Sequence, residues 1–141
     1  MSVGFDVRQH RTRATMANET MPCELCEPEQ MFFENALAYM RYDNNSLSRG
    51  HVLVIPKRHV ANFFDMTSLE QSAVLALLNE AQASIQKQHS PDGHNIGVNI
   101  GSAGGQSRMH VHVHLIPRYT GDVADPRGGI RCVLAAKNHA T

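Results

Sequence analysis

The sequence predicts an α+β domain built on a mostly antiparallel sheet. Three observations carry that expectation: short apolar segments of strand length set between Gly, Pro and Asn signals, one long amphipathic stretch with a helix-start signature, and an order in which strands come first, then the helix, then strands again. A chain of 141 residues suits one domain. With 42% apolar and 18% charged residues, it has the composition of a chain that packs a core rather than one that stays disordered.

Taken in order, residues 1–21 are polar and without period, and are expected to form a flexible arm ahead of a domain spanning 22–135, with a tail over 136–141. Residues 31–42, rich in aromatics and broken near Glu34-Asn35, suit a hairpin of two short strands. Asp43 to Ser46 is a loop signal, and His51 to Ile55 is a continuous apolar strand that Pro56 ends. A short helical turn is expected at 60–64. Thr67-Ser68-Leu69-Glu70 has the form of a capping box and opens the long helix, about Ser68 to His89, whose Val74, Leu77, Leu78, Ala81 and Ile85 fall on one stripe. Pro91-Asp92-Gly93 stops it. Strands are then expected at Asn95–Ile100, His110–Pro117 and Ile130–Leu134, the last with Cys132 facing inward as a small apolar residue.

Charge and cysteine usage narrow the function. Lys+Arg and Asp+Glu balance at 13 each, which argues against nucleic-acid coating and against polyphosphate capture by bulk charge. No apolar run approaches the ~20 residues of a membrane helix, and residues 1–21 lack the apolar stretch of a secretory leader, so a cytoplasmic setting is expected. Three cysteines leave one over from any disulfide framework. In a reducing compartment, Cys23 and Cys26 suit metal or redox work better than a structural bridge; no strong strand precedes them, as a thioredoxin-type motif requires.

The chemistry-bearing segment is Met109-His110-Val111-His112-Val113-His114-Leu115-Ile116-Pro117. Period-two alternation puts Val111, Val113 and Leu115 toward a core and His110, His112 and His114 on the other face, about 13 Å from first to third. Such a row suits two chemistries. Imidazoles at i and i+2 chelate transition metals, or one neutral imidazole acts as nucleophile while its neighbours fix its tautomer. A Gly-rich loop, Gly101 to Ser107, runs directly into the row and offers N–H groups to an anion, which favours a phosphate site.

Gln106-Ser107-Arg108-Met109-His110-Val111-His112-Val113-His114-Leu115-Ile116 resembles the signature of the histidine-triad (HIT) superfamily. Gly50-His51 with the ending Ile55-Pro56-Lys57-Arg58-His59 resembles that family's Gly-His strand, Asp43 stands eight residues before His51, and Asp125-Pro126-Arg127-Gly128-Gly129 is similar to bacterial members described as diadenosine-polyphosphate hydrolases. The resemblance covers about residues 22–135 and implies an antiparallel sheet of about five strands with one long and one short helix. It also implies nucleotidyl hydrolase or transferase activity: His112 attacks the α-phosphate of a dinucleoside polyphosphate or nucleoside phosphoramidate, and a covalent nucleotidyl-imidazole forms and is hydrolysed to a nucleoside monophosphate. His114 would contact the α-phosphate and departing oxygen, His110 would orient the row or bind metal, and His51 would brace the site. Gly105, Gln106 and Ser107 would hold phosphate oxygens, Asp43 the ribose, and Asn99 either; Phe32, Phe33 or Tyr39 would line a base pocket. Catalysis in the family needs no metal, but relatives with an N-terminal C-x-x-C bind a structural zinc, which here implies Cys23, Cys26, His59 and His110. Homodimers are implied as well. A low-turnover nucleotide-binding or sensing protein is the second reading of the same pocket.

Overall fold

The computed structural model describes residues 22–27 and 29–137. Five strands, β1 (Met31–Glu34), β2 (Ala38–Tyr42), β3 (Val52–Pro56), β4 (Gly93–Val98) and β5 (Val113–Arg118), form one sheet in the order β1-β2-β3-β5-β4, with every neighbouring pair antiparallel. The helix α1 (Ser68–His89) lies between β3 and β4 in the chain. The expected α+β class and five-strand sheet are therefore present. The arm expected over 1–21 lies outside the described residues, as do residues 138–141.

Local chemistry makes these elements. Asn35 closes the β1–β2 hairpin: its Oδ1 accepts from the N–H groups of Leu37 (3.1 Å) and Ala38 (2.8 Å). Its Nδ2 donates to the Ala73 carbonyl at 2.8 Å and ties the turn to α1. The capping box is complete, with Thr67 Oγ1 accepting from Glu70 N–H (3.1 Å) and Glu70 Oε2 accepting from Thr67 N–H (2.8 Å). Alternation along the strands then sorts side chains between two faces. Ala38, Met40, Val52, Val54, Val113 and Leu115 pack against Val74, Leu77, Leu78, Ala81 and Ile85 of α1. On the opposite face Tyr39, Leu53 and Ile55 form a smaller cluster with Leu25 and Cys23. The Cys23–Cys26 turn thus lies on the sheet face that α1 does not cover.

Several boundaries differ from the sequence expectation. β5 begins at Val113, not His110: ahead of it the Val111 N–H donates to the Val60 carbonyl (2.8 Å), and the Pro56 carbonyl is taken by the His110 ring (2.7 Å) rather than by a ladder bond. β4 runs from Gly93 to Val98, two residues earlier than expected, so Asn99 follows the strand. The short helix is a 3-10 turn at Phe63–Asp65, capped by the Asn62 side chain. The strand expected at Ile130–Leu134 is instead part of a 3-10 run, Gly129–Lys137. Gly128 and Gly129 take positive φ (+91° and +44°), and Arg131 N–H closes onto the Gly128 carbonyl, which starts a turn rather than an extended segment. Ile130 (52% exposed) and Cys132 lie at the surface, so the inward alternation there fails. The 3-10 run also absorbs residues 136 and 137 of the expected tail.

Candidate active site

The site face is reached from the strand ends. Gly50 precedes His51 with φ +86°, and a Cβ there would stand 2.8 Å from His89 Cδ2 in the last turn of α1. The glycine lets the chain pass close to the helix and turn His51 inward. The His51 ring is 1% exposed, and its Nδ1 accepts from the Leu47 N–H at 3.1 Å. That bond fixes the proton on Nε2, which donates to His114 Nδ1 at 3.0 Å. His114 therefore carries its own proton on Nε2. Asp43 Oδ2 stands 3.4 Å from His51 Nε2 and 3.6 Å from His114 Nδ1, while its Oδ1 accepts from Asn45 N–H at 2.9 Å. Burial holds the His51 pKa below its ordinary value against the pull of Asp43. Burial, with smaller repulsion from His112 and His51, pushes His114 down to about 4, so both rings are neutral at pH 7.

His112 has the complementary arrangement. Its Nδ1 lies 2.8 Å from the His110 carbonyl oxygen, an acceptor, so Nδ1 carries the proton and Nε2 keeps its lone pair. The ring is 8% exposed and lies at 66° to the His114 ring, with centroids 5.2 Å apart. His112, His114, His51, Asp43, Asn99 and Ser107 line one cavity of about 220 Å³.

His110, two residues earlier, is fully buried and turned the other way. Its Nε2 donates to the Pro56 carbonyl (2.7 Å), which leaves Nδ1 free. That Nδ1 is 3.5 Å from both Cys23 Sγ and Cys26 Sγ, and His59 Nδ1 is 3.2 Å from Cys26 Sγ. The four donor atoms lie within 4.8 Å of one another. Zn–S bonds of about 2.3 Å and Zn–N bonds of about 2.0–2.1 Å in a tetrahedron set sulfur–nitrogen edges near 3.5 Å, so donor type and spacing both fit a closed zinc site. The bond to Pro56 turns His110 Nδ1 toward the two sulfurs, the orientation a metal ligand there would need.

The remaining expected residues divide. Gln106 does not face the cavity: its Nε2 donates to the Ala61 (2.7 Å) and Arg108 (3.0 Å) carbonyls, and its Oε1 accepts from Gly101 N–H (2.8 Å), so it fastens the Gly-rich loop. Gly105 sits at φ +85°, where a side chain would be strained, and its place is in that loop rather than in the cavity lining. Phe32, Phe33 and Tyr39 do not line this cavity. Tyr39 is buried with its hydroxyl donating to the Leu25 carbonyl (2.7 Å), Phe32 stacks on Tyr42 (4.6 Å), and Phe33 is 48% exposed on β1. Instead Leu25, Leu47 and Leu53 supply the apolar wall, with Glu24, Arg41 and Arg108 beside them. The sequence reading missed these residues. Leu25 and Glu24 enter only because the Cys23–Cys26 turn folds over the sheet.

Comparison with known proteins agrees with this geometry. Residues 25–121 match the HIT domain model. The chain is similar to an AP-4-A phosphorylase of Mycobacterium tuberculosis, 42% identical over 74 residues, covering 52% of this chain and 38% of that protein. It is also similar to the asymmetrical bis(5'-nucleosyl)-tetraphosphatase of Schizosaccharomyces pombe, 35% identical over 96 residues, covering 68% of this chain and 53% of that protein. The chain thus spans about half or less of the length of these relatives. Among solved structures, a zinc-bound histidine triad family protein of Mycobacterium smegmatis superposes with a TM-score of 0.66 at 26% identity, covering 85% of this chain and 98% of the other. With the matched model spanning residues 25–121 and with His51, His112 and His114 lining one cavity, this protein belongs to the HIT domain family.

Proposed function

We propose that the protein is a nucleotidyl hydrolase or transferase acting at the α-phosphate of a nucleotide derivative through a covalent nucleotidyl-His112 intermediate. One observation carries the reading: His112 presents an unprotonated Nε2 to the cavity because its Nδ1–H is held by a backbone carbonyl. Nε2 forms a bond to the α-phosphorus while the bond to the leaving oxygen or nitrogen breaks. The positive charge that develops on the ring is stabilised where Nδ1–H meets the His110 carbonyl. His114 Nε2–H is a neutral donor that hydrogen-bonds a phosphate oxygen or the departing atom, and the Ser107 hydroxyl offers a second donor. Asp43, an acceptor at the mouth of the same cavity, takes the ribose hydroxyls, and Asn99 holds a phosphate oxygen. Water then attacks phosphorus and releases the nucleoside monophosphate, restoring His112.

Zinc held by the thiolates of Cys23 and Cys26 and the Nδ1 atoms of His59 and His110 would pin the N-terminal turn to the sheet and supply no step of this chemistry. A homodimer is also proposed. β4 ends the sheet among the described residues, and Ile96 (55% exposed) and Leu75 (61% exposed) flank an apolar cavity between α1 and β4. No helix among the described residues is long and apolar enough to cross a membrane.

The test is intact-mass spectrometry after rapid mixing with a dinucleoside polyphosphate and with a nucleoside phosphoramidate. A nucleotidyl adduct that maps to His112 and decays to monophosphate is expected. Monophosphate release with the adduct on another residue, or an unchanged rate in His112→Asn, would overturn the assignment.

A further inference from the structure

We propose that the Cys23–Cys26–His59–His110 cluster and the nucleotide cavity are coupled through Leu25, so that an ion on the cluster raises nucleotide affinity and a bound nucleotide raises affinity for the ion. The inference rests on the nucleotidyl reading of the cavity and the zinc reading of the cluster, and joins the two.

The two sites share one turn. Cys26 N–H donates to the Cys23 carbonyl at 2.9 Å, which closes a β-turn with Glu24 and Leu25 at its central positions. The cysteines at its ends belong to the donor cluster, and both central residues line the cavity that holds His112 and Asp43. Leu25 is 1% exposed and packs on Tyr39, Leu53 and Ile55. With Leu53 it makes an apolar wall of the cavity. A group bound against that wall therefore needs the turn in place.

Little besides the cluster holds the turn down. The Tyr39 hydroxyl donates to the Leu25 carbonyl at 2.7 Å. Arg108 Nη2 stands 2.9 Å from Glu24 Oε2, but that ion pair is about half exposed and so contributes little. Without an ion the four donors offer one another only weak sulfur contacts of 3.2–3.5 Å. An ion would tie both ends of the turn to the sheet, through His59 just after β3 and His110 just before β5. Local opening of the turn removes Leu25 from the wall and breaks the donor set together. Ion and nucleotide thus favour the same closed position, and each must strengthen the other by the same factor.

The coupling does not pass through the nucleophile. The segment before β5 is anchored without an ion, by His110 Nε2 on the Pro56 carbonyl (2.7 Å) and by Val111 N–H on the Val60 carbonyl (2.8 Å). The His110 carbonyl that holds His112 Nδ1 therefore stays in place when the turn opens. Metal loss should weaken binding and leave kcat at saturation largely intact.

The experiment is titration calorimetry with AMP on zinc-loaded and chelator-stripped wild type, at a temperature where circular dichroism shows both folded. The stripped form should bind AMP about tenfold more weakly, the scale of one buried apolar side chain. Leu25→Ala should show a similar loss when zinc-loaded and little further loss when stripped. A reciprocal measurement needs no stripped protein: competition for zinc with a chromophoric chelator should show the ion held about tenfold more tightly at saturating AMP in wild type, and no such gain in Leu25→Ala. Equal AMP affinity of loaded and stripped wild type would overturn the coupling, as would an AMP-independent zinc affinity or full coupling retained in Leu25→Ala. A protein that binds AMP but no zinc would overturn this inference and leave the nucleotide reading standing, whereas one that binds no AMP in either form would overturn both.

Discussion

His110 and His112 stand two residues apart on one segment, yet they have opposite free nitrogens and face different surroundings. His110 gives its Nε2 proton to the Pro56 carbonyl and turns Nδ1 toward two sulfurs; His112 gives its Nδ1 proton to the His110 carbonyl and turns Nε2 toward an open cavity. Both tautomers are set by a backbone oxygen. The first cluster is closed, with four donors within 4.8 Å of one another, which suits an ion held for stability. The second leaves space beside His112, the proposed nucleophile. Side-chain chemistry is the same in both, so what separates the proposed zinc ligand from the proposed nucleophile is which ring nitrogen a backbone carbonyl takes.

The largest expected effect breaks this contrast at the nucleophile. His112→Asn should lower nucleotidyl turnover by at least about 10³-fold, since no other group replaces the attacking nitrogen. Its melting temperature should stay close to wild type, because the ring lies at the cavity edge rather than in the α1-facing core. His110→Asn should do the reverse. The carbonyl that holds His112 belongs to the backbone and survives the substitution, so turnover per folded molecule should fall far less while the melting temperature drops. Steady-state assays beside thermal melts check both, and equal loss of turnover in the two variants would erase the distinction.

Metal removal comes next. One zinc per chain is expected by metal analysis, and Cys26→Ser or a strong chelator should remove it. An ion bound at 100 times its dissociation constant contributes about 2.7 kcal/mol to the folded state. For a domain of this size the metal-free form should therefore melt roughly 10 °C lower. An unchanged melt in a preparation shown to have lost its metal would mean the cluster has no structural role.

Part of the site was legible from sequence spacing, and the misses have physical causes. His112 and His114 line one cavity in keeping with period-two spacing, whereas His51 and Asp43, which lie just outside the strands, carried a role only through the family resemblance. At residues 110–112 the ladder ends, which is why one expected row of three rings became two separate clusters. The cavity walls are harder to read. Leu25 and Glu24 reach the site through a turn folded over the sheet, a long-range event with no local signal. Arg41 did carry a signal, since it stands two residues before Asp43 on a strand and must share its face. The misplaced last strand shows the opposite error, in which apolar alternation outweighed a Gly-Gly pair that turns the chain.

Acid titration sharpens the comparison from the site side. The His114 pKa falls from 6.5 to about 4 in the folded protein, and that of His51 is also lowered. A depressed folded-state value means the unfolded chain binds protons first. The associated stability is complete above about pH 6.5 and is lost as pH falls toward about 4. Wild type should therefore lose denaturation free energy across that interval. His114→Asn should flatten this part of the curve, because the asparagine does not titrate. The kcat/KM profile should show no limb from His114 between pH 5.5 and 8. A His114-dependent limb near neutrality would contradict its neutral donor role.

The smallest effect lies at the start of α1, on the face away from both clusters. Thr67→Ala removes the hydroxyl that accepts from Glu70 N–H and should cost about 1 kcal/mol at every pH, a value typical of a lost N-cap. It should not abolish the acid sensitivity of Glu70, because the first cause of that shift is Arg58, which donates to both Glu70 carboxylate oxygens at 2.7 and 2.9 Å. The Glu70 pKa is drawn down from 4.5 to about 2, so its contribution is present above pH 4.5 and disappears as pH falls through about 2. This interval meets the histidine one only at its upper end, so the two regions separate along most of one pH axis. Chemical denaturation of Thr67→Ala should give a curve parallel to wild type and lower by the cap alone. Glu70→Gln should change its slope below pH 4.5 and leave the segment between 6.5 and 4.5 to the histidines. A Thr67→Ala curve that converges on wild type below pH 4.5 would show that the cap, rather than the arginine pair, is what holds the Glu70 carboxylate ionised.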